Sequence, residues 1–133
     1  MTIKNIKQKI ELGFVVCMVL ILANSCSEDY FSAVSISEDV PVSFQTDIQP
    51  IFNSSCLGSS CHNSNGGVPP FLEATLSYES LIGGNYVDTL APESSKLYQR
   101  LTASSNFMPP SSKLPSEEIQ KILIWIKQGA INN

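Results

Sequence analysis

Cys56-Leu57-Gly58-Ser59-Ser60-Cys61-His62 places two thiols and an imidazole within a single short loop, and His62 is the only histidine of the 133-residue chain. Four residues separate the cysteines. Gly58 reaches positive φ without a Cβ clash, and Ser59 and Ser60 are small and turn-prone, so this length can be absorbed in a local bulge. A Cys56–Cys61 disulfide is one reading, because a small loop could close at this spacing in an oxidising compartment. It gives His62 no role. Zinc is a weaker reading, since a tetrahedral site needs a fourth ligand and the chain holds no second Cys/His cluster.

Upstream, Phe44, Ile48, Ile51 and Phe52 recur at helical spacing and feed an apolar face directly into Cys56. Pro50 lies inside that run, where it removes a donor and crowds the preceding turn, so a kink or a helix broken in two is expected there. Downstream, residues 63–70 (NSNGGVPP) read as a loop. Residues 77–82 make a short helix stopped by Gly83-Gly84, and residues 92–101 read as one helix with Pro92 in its first turn and Leu97, Tyr98 and Leu101 on one side. Arg100 reads as an exposed surface arginine. The last helix is the clearest: Ser116 as its cap, Glu117 and Glu118 at the positive end of the dipole, an apolar face of Ile119, Ile122, Leu123 and Ile126, Trp125 at the margin, and Lys127 with Gly129 at the close.

At the other end of the chain, Lys4, Lys7 and Lys9 precede an apolar run, residues 12–23 (LGFVVCMVLILA), and then small and polar residues up to Cys26. This is the pattern of a secretory signal. The run falls short of the roughly 20 residues that cross a bilayer as a helix, which makes an uncleaved membrane anchor the second reading. Leu22-Ala23-Asn24-Ser25-Cys26 resembles a bacterial lipoprotein cleavage box, and that resemblance implies lipidation of Cys26 and tethering to a membrane surface. Three segments follow: residues 1–25 as lipoprotein signal peptide, 26–42 as an acidic flexible tether, and 43–133 as the folded domain. The acids directly behind Cys26 resemble a signal for the outer face of the outer membrane, and a solvated linker is an equal alternative.

Loss of residues 1–25 leaves Cys26, Cys56 and Cys61, one histidine and one methionine, Met108. Lys4, Lys7, Lys9 and Glu11 leave with the signal, so five basic residues face eleven acids, a net charge of minus six. No basic patch for nucleic acid exists. A partner steered by electrostatics should present a basic face. A chain of this length makes one small domain with a limited core.

Taken together, Cys56, Cys61 and His62 resemble the attachment site of c-type cytochromes in a C-x4-C-H variant of the usual C-x-x-C-H. Residues 47–52 (DIQPIF), 76–84 (LSYESLIGG), 92–101 (PESSKLYQRL) and 108–110 (MPP) are similar, in the same order, to segments of a group of small bacterial cytochrome c domains. The resemblance covers about residues 43–129. It implies an all-α fold, a cytochrome c-like small helical domain wrapped around one covalent haem c. Cys56 and Cys61 would hold the haem, with His62 and Met108 as axial ligands of its iron. It further implies that Ile122, Trp125 or Ile126 of the last helix meets Phe44, Ile48 or Phe52 of the first, that Leu76, Tyr78 and Leu81 wall the haem, and, as a second reading of Arg100, a pairing with a haem propionate.

A lone methionine beside two prolines, in a loop instead of on a helix face, suits an axial ligand, because the prolines stiffen the loop that carries it. An iron ligated on both faces transfers electrons and binds no substrate. No catalytic set is visible, since no Ser-His-acid arrangement exists that does not use His62 and there is no P-loop. The expectation is a lipid-anchored electron carrier of the cell envelope, serving redox proteins, with no small-molecule substrate. The alternative is a lipoprotein interaction domain stapled by a Cys56–Cys61 disulfide.

Overall fold

The computed structural model describes residues 36–133; the expected signal peptide, Cys26 and residues 27–35 lie outside the described residues. The described residues are helical, with no strand among them, and the fold is all-α. A π-helical turn, Phe44–Ile48, runs into α1, Gln49–Ser55; α2 is Ser77–Gly83, a 3-10 turn spans Pro92–Ser94, α3 is Lys96–Thr102 and α4 is Ser116–Lys127.

The first helix divides near Pro50, as its chemistry requires. The amide of Gln49 closes the wide turn onto the Phe44 carbonyl, and Pro50 then falls in the first turn of α1, where no intrahelical amide is needed. The start of this helix is capped from two directions. Ser43 Oγ accepts from the Thr46 amide (3.3 Å) while Asp47 accepts from the Ser43 amide (2.9 Å). The end of the chain supplies the rest: the Gln45 amide donates to the Asn133 carbonyl (2.9 Å) and the Phe44 amide to Asn133 Oδ1 (2.9 Å).

The core forms where α4 packs on the π-helical turn, on α3 and on the 3-10 turn. Phe44 is its hub. Its ring lies 5.1 Å from Trp125, 5.4 Å from Tyr78 and 6.3 Å from Phe52, centroid to centroid, the last two edge-on. Ile48, Leu81, Ile122 and Ile126 are fully enclosed around it. The expected meeting of the last helix with the first is therefore made through Phe44 and Trp125. Trp125 is buried and not marginal, and Ile124 is buried as well, because α4 has neighbours on more than one side and a single apolar stripe would not serve. A buried polar link ties α1 to α2: Gln49 Nε2 donates to the Leu72 carbonyl (3.0 Å) and the Ser77 hydroxyl donates to Gln49 Oε1.

Several sequence expectations differ from the fold. Ser116 is the first residue of α4 and not its cap; Pro115 occupies the cap position and no side chain caps the helix. Residues 92–101 do not form one helix. Ser95 is extended (ψ 130°), since its buried hydroxyl accepts from the Asp88 amide (2.9 Å) and donates to the Asp88 carbonyl (3.3 Å), which breaks the run into a 3-10 turn and α3. Residues 36–42, assigned to the tether from sequence, lie along α4. Gln128 Oε1 accepts from the Val42 amide (2.9 Å), its Nε2 donates to the carbonyls of Glu38 (3.0 Å) and Val40 (2.9 Å), and Lys127 pairs with Glu38 (2.7 Å).

Candidate functional site

The short helix α1 ends at Ser55, so Cys56 is delivered as its C-terminal cap, with the Cys56 amide donating to the Phe52 carbonyl (2.9 Å). The loop then doubles back. The Cys61 amide donates to the Gly58 carbonyl (2.9 Å) and the His62 amide to the Cys56 carbonyl (3.1 Å), so the two extra residues form a closed bulge that sets both cysteines and the histidine beside one another. Asn63 locks the bulge: its Nδ2 donates to the Gly58 carbonyl and its Oδ1 accepts from the Gly66 amide, each at 2.6 Å. Gly66 has no substitute, because a Cβ there would lie 2.5 Å from the Cys61 carbonyl oxygen.

His62 is held in a defined state. Its Nδ1 lies 3.1 Å from the Val68 carbonyl oxygen and 3.0 Å from the Pro70 carbonyl oxygen. Both oxygens only accept, so Nδ1 carries a proton, and Nε2 has no hydrogen-bond partner among the described residues. A ligating histidine needs this arrangement, in which the second nitrogen donates to a backbone carbonyl and so fixes the ring and its tautomer. The Leu72 amide donates to the His62 carbonyl (2.7 Å) and completes the support.

Met108 comes from the opposite end of the sequence. Asn106 takes a left-handed conformation (φ 53°), which asparagine tolerates better than most residues, and turns the chain so that the Met108 amide donates to the Arg100 carbonyl at 2.9 Å. The methionine loop is thereby fastened to α3.

Cys56, Cys61, His62 and Met108 all line one cavity of about 830 Å³. Its floor is core, Phe52, Leu72, Leu101 and Leu114, and its walls include the two Pro-Pro pairs at 69–70 and 109–110. The size falls within the range of about 300–1,000 Å³ typical of cofactor and ligand sites. The four residues expected from sequence are thus brought together. Leu76, Tyr78 and Leu81, expected as a wall, are not part of it: Leu81 is core, Tyr78 packs on Phe44 and Leu76 is exposed, because α2 turns toward the π-helical turn. That region contributes Tyr86 instead. Gly84 makes the exchange feasible, since a Cβ there would collide with the Tyr86 ring and the Ser80 carbonyl.

Cys56 and Cys61 are free thiols. Burial, then the neighbouring Cys61, then the Glu118 carboxylate push the Cys56 thiol up from 9.0 to about 11. Glu118 is a residue that sequence reading took only as a helix-dipole partner; its Oε2 is buried without a hydrogen-bond partner. Among the described residues no group of three or more His, Cys, Asp or Glu side chains could hold a metal ion, so a protein-only zinc site has no donor set there. No helix among the described residues is long and apolar enough to cross a membrane. No protein-family model matches the chain, and neither a curated protein nor a solved structure matches it.

Proposed function

We propose that this chain is a monohaem c-type cytochrome that carries single electrons in the cell envelope. The reading rests on one observation: the only histidine of the chain, with Nδ1 committed to two carbonyls and Nε2 unpartnered among the described residues, faces the same cavity as Cys56, Cys61 and Met108. The donor set fits haem c. Two thiols form thioethers, an imidazole and a thioether sulfur ligate iron, and apolar walls suit a porphyrin. Bound there, haem supplies a one-electron couple, and Met/His ligation raises its potential above that of a bis-histidine site.

The chain's own residues do the rest. The closed bulge at residues 56–62 and the carbonyls of Val68 and Pro70 orient His62, the hydrogen bond from the Met108 amide to the Arg100 carbonyl fastens the methionine loop, and the proline walls with Phe52 and Leu101 supply apolar surface for the group. His62 and Met108 would together hold the iron, and a group held in that way would supply electron transfer and not substrate binding. Anchoring through a lipid on Cys26, a location on the periplasmic or outer face of a membrane, and a redox partner with a basic face complete the proposal, the last from the net charge of minus six after loss of residues 1–25.

The test is a haem-staining denaturing gel and a pyridine haemochrome spectrum of the full chain, expressed with its own signal beside cytochrome c maturation machinery. A stained band with c-type maxima is expected. Met108→Ala should keep the stain and lose the low-spin Met/His spectrum, and Cys61→Ser should weaken or abolish attachment. A colourless, correctly exported protein would overturn the proposal and direct attention to a Cys56–Cys61 disulfide.

A further inference from the structure

Glu117 and Glu118 stand side by side in the first turn of α4 and turn opposite ways. Glu117 is exposed and pairs with Lys121 at 3.8 Å. Glu118 follows the inward face of the helix. Ile122 and Trp125, four and seven residues on, are fully buried, and Glu118 Oε2 is buried with no hydrogen-bond partner among the described residues. A buried carboxylate oxygen without a donor is costly, so its presence calls for a partner or a task. The reactive group near it is the Cys56 thiol. Cys56 and Ile119, the neighbour of Glu118 on α4, pack against the same core cluster. Burial, then Cys61, then the Glu118 carboxylate raise this thiol, so its sulfur keeps its proton at neutral pH and is a weak nucleophile without a base. The Cys61 sulfur lies instead over Gly58, where a Cβ would come within 3.0 Å of it.

We propose that Glu118 accepts the proton of Cys56 when that thiol adds to an alkene of the group that fills the cavity; on the reading above, on which this inference rests, the alkene is a haem vinyl group. The S–H bond breaks as the proton passes to the Glu118 carboxylate, and the sulfur electron pair forms a bond to the inner vinyl carbon. The alkene π pair takes up one proton at the terminal carbon, and the acid formed on Glu118 releases one. The sum is addition of S–H across C=C, with the carboxylate regenerated and no oxidant or reductant consumed.

The experiment mixes the full, reduced, haem-free chain with ferrous protohaem and follows thioether formation by mass and by the haemochrome maximum. Attachment through each sulfur is isolated in Cys61→Ala and Cys56→Ala backgrounds. In the Cys61→Ala background Glu118→Gln should slow attachment about a hundredfold, the lower end of what a positioned base contributes. Glu118→Asp should fall between, and Glu117→Gln should leave the rate unchanged. In the Cys56→Ala background Glu118→Gln should change nothing. Affinity for mesohaem, which has ethyl groups in place of the vinyls, should be the same with and without Glu118→Gln. An equal or faster rate through Cys56 in Glu118→Gln would overturn the inference, because a charge that merely holds the thiol proton would speed attack once removed. Equal slowing through both sulfurs, or lost mesohaem affinity, would also overturn it, since either marks a residue that only supports the fold. Should Glu118→Gln fail to fold, Glu118→Asp must still slow attachment through Cys56 alone. A wild type that gains haem c beside maturation machinery yet forms no thioether on mixing overturns this inference alone, whereas a wild type without covalent haem by either route overturns the proposed function as well.

Discussion

Where α4 meets the π-helical turn, Phe44, Ile48, Ile122 and Ile126 are fully enclosed; around the cavity, Cys56, Cys61 and His62 are half-buried and Met108 is 37 % exposed. One side of the molecule is completed by its own side chains. The other is built from loops whose backbones are pinned by hydrogen bonds and whose side chains line the cavity. Phe52 belongs to both, enclosed by the core and lining the cavity. A small domain has little core to spare, so an apolar group filling that space would extend the buried interior from Phe52 outward.

The sharpest way to break this comparison is to truncate one large side chain on each side of the haem-free chain. Trp125→Ala removes a fully buried ring in contact with Phe44 and should cost about 3–5 kcal/mol. Met108→Ala removes a side chain that is partly exposed and faces the cavity, and should cost less than about 1 kcal/mol. Urea unfolding measures both, and equal losses would mean that the two sides are one core.

A smaller effect concerns the cavity side, and it separates the chain without haem from the haem-loaded form proposed above. The Cys56 thiol is raised from 9.0 to about 11 in the fold. A raised pKa contributes stability that is fully present below the unfolded value, near pH 9, and is lost as pH rises through the folded value, near 11. The haem-free chain should therefore lose about 2 kcal/mol between pH 9 and pH 11, the shift being partly screened at a half-buried group. A thioether does not titrate. Denaturant midpoints followed across that window should fall for the haem-free chain and for Met108→Ala, and fall less for Cys56→Ser and for haem-loaded protein, where the raised Lys127 ammonium still titrates. A haem-free chain whose midpoint falls no further than that of Cys56→Ser would show that solvent reaches Cys56 freely.

How legible each side was in the sequence follows the same division. The helices around the core announce themselves through apolar spacing, and Pro50 marks the place where the first helix changes its turn. Cys56, Cys61, His62 and Met108 stand out because each is scarce. What the sequence hid is geometry carried by the backbone or by distant partners. The carbonyls of Val68 and Pro70 that hold His62 by its Nδ1 have no residue signature, and Ser95 breaks a helical run only because Asp88 is near it in space. Tyr86 replaces the expected α2 wall because Gly84 lets it approach, a contact that no periodicity reveals. Trp125 looked marginal on a helical wheel because a wheel assumes one buried face, while α4 has neighbours on several.

The smallest effect concerns residues 36–42, which belong to neither side. Their attachment to α4 runs through polar side chains: three hydrogen bonds of the Gln128 amide, the pair of Lys127 with Glu38, and weaker contacts at 3.4 Å between Gln120 and Ile36. Only Val42 of this segment is buried. Gln128→Ala should therefore cost about 1 kcal/mol at most, since hydrogen bonds that water can replace contribute little. Hydrogen exchange gives the more discriminating readout. The Val42 amide, which donates to Gln128, should exchange faster in the variant, while the Ala130 amide, which donates to the Trp125 carbonyl beneath the core, should keep its protection. Loss of protection at both would join the segment to the core as one cooperative unit. Loss at Val42 alone would leave the domain able to release the chain leading toward residue 26 without loosening the loops that hold Cys56, His62 and Met108.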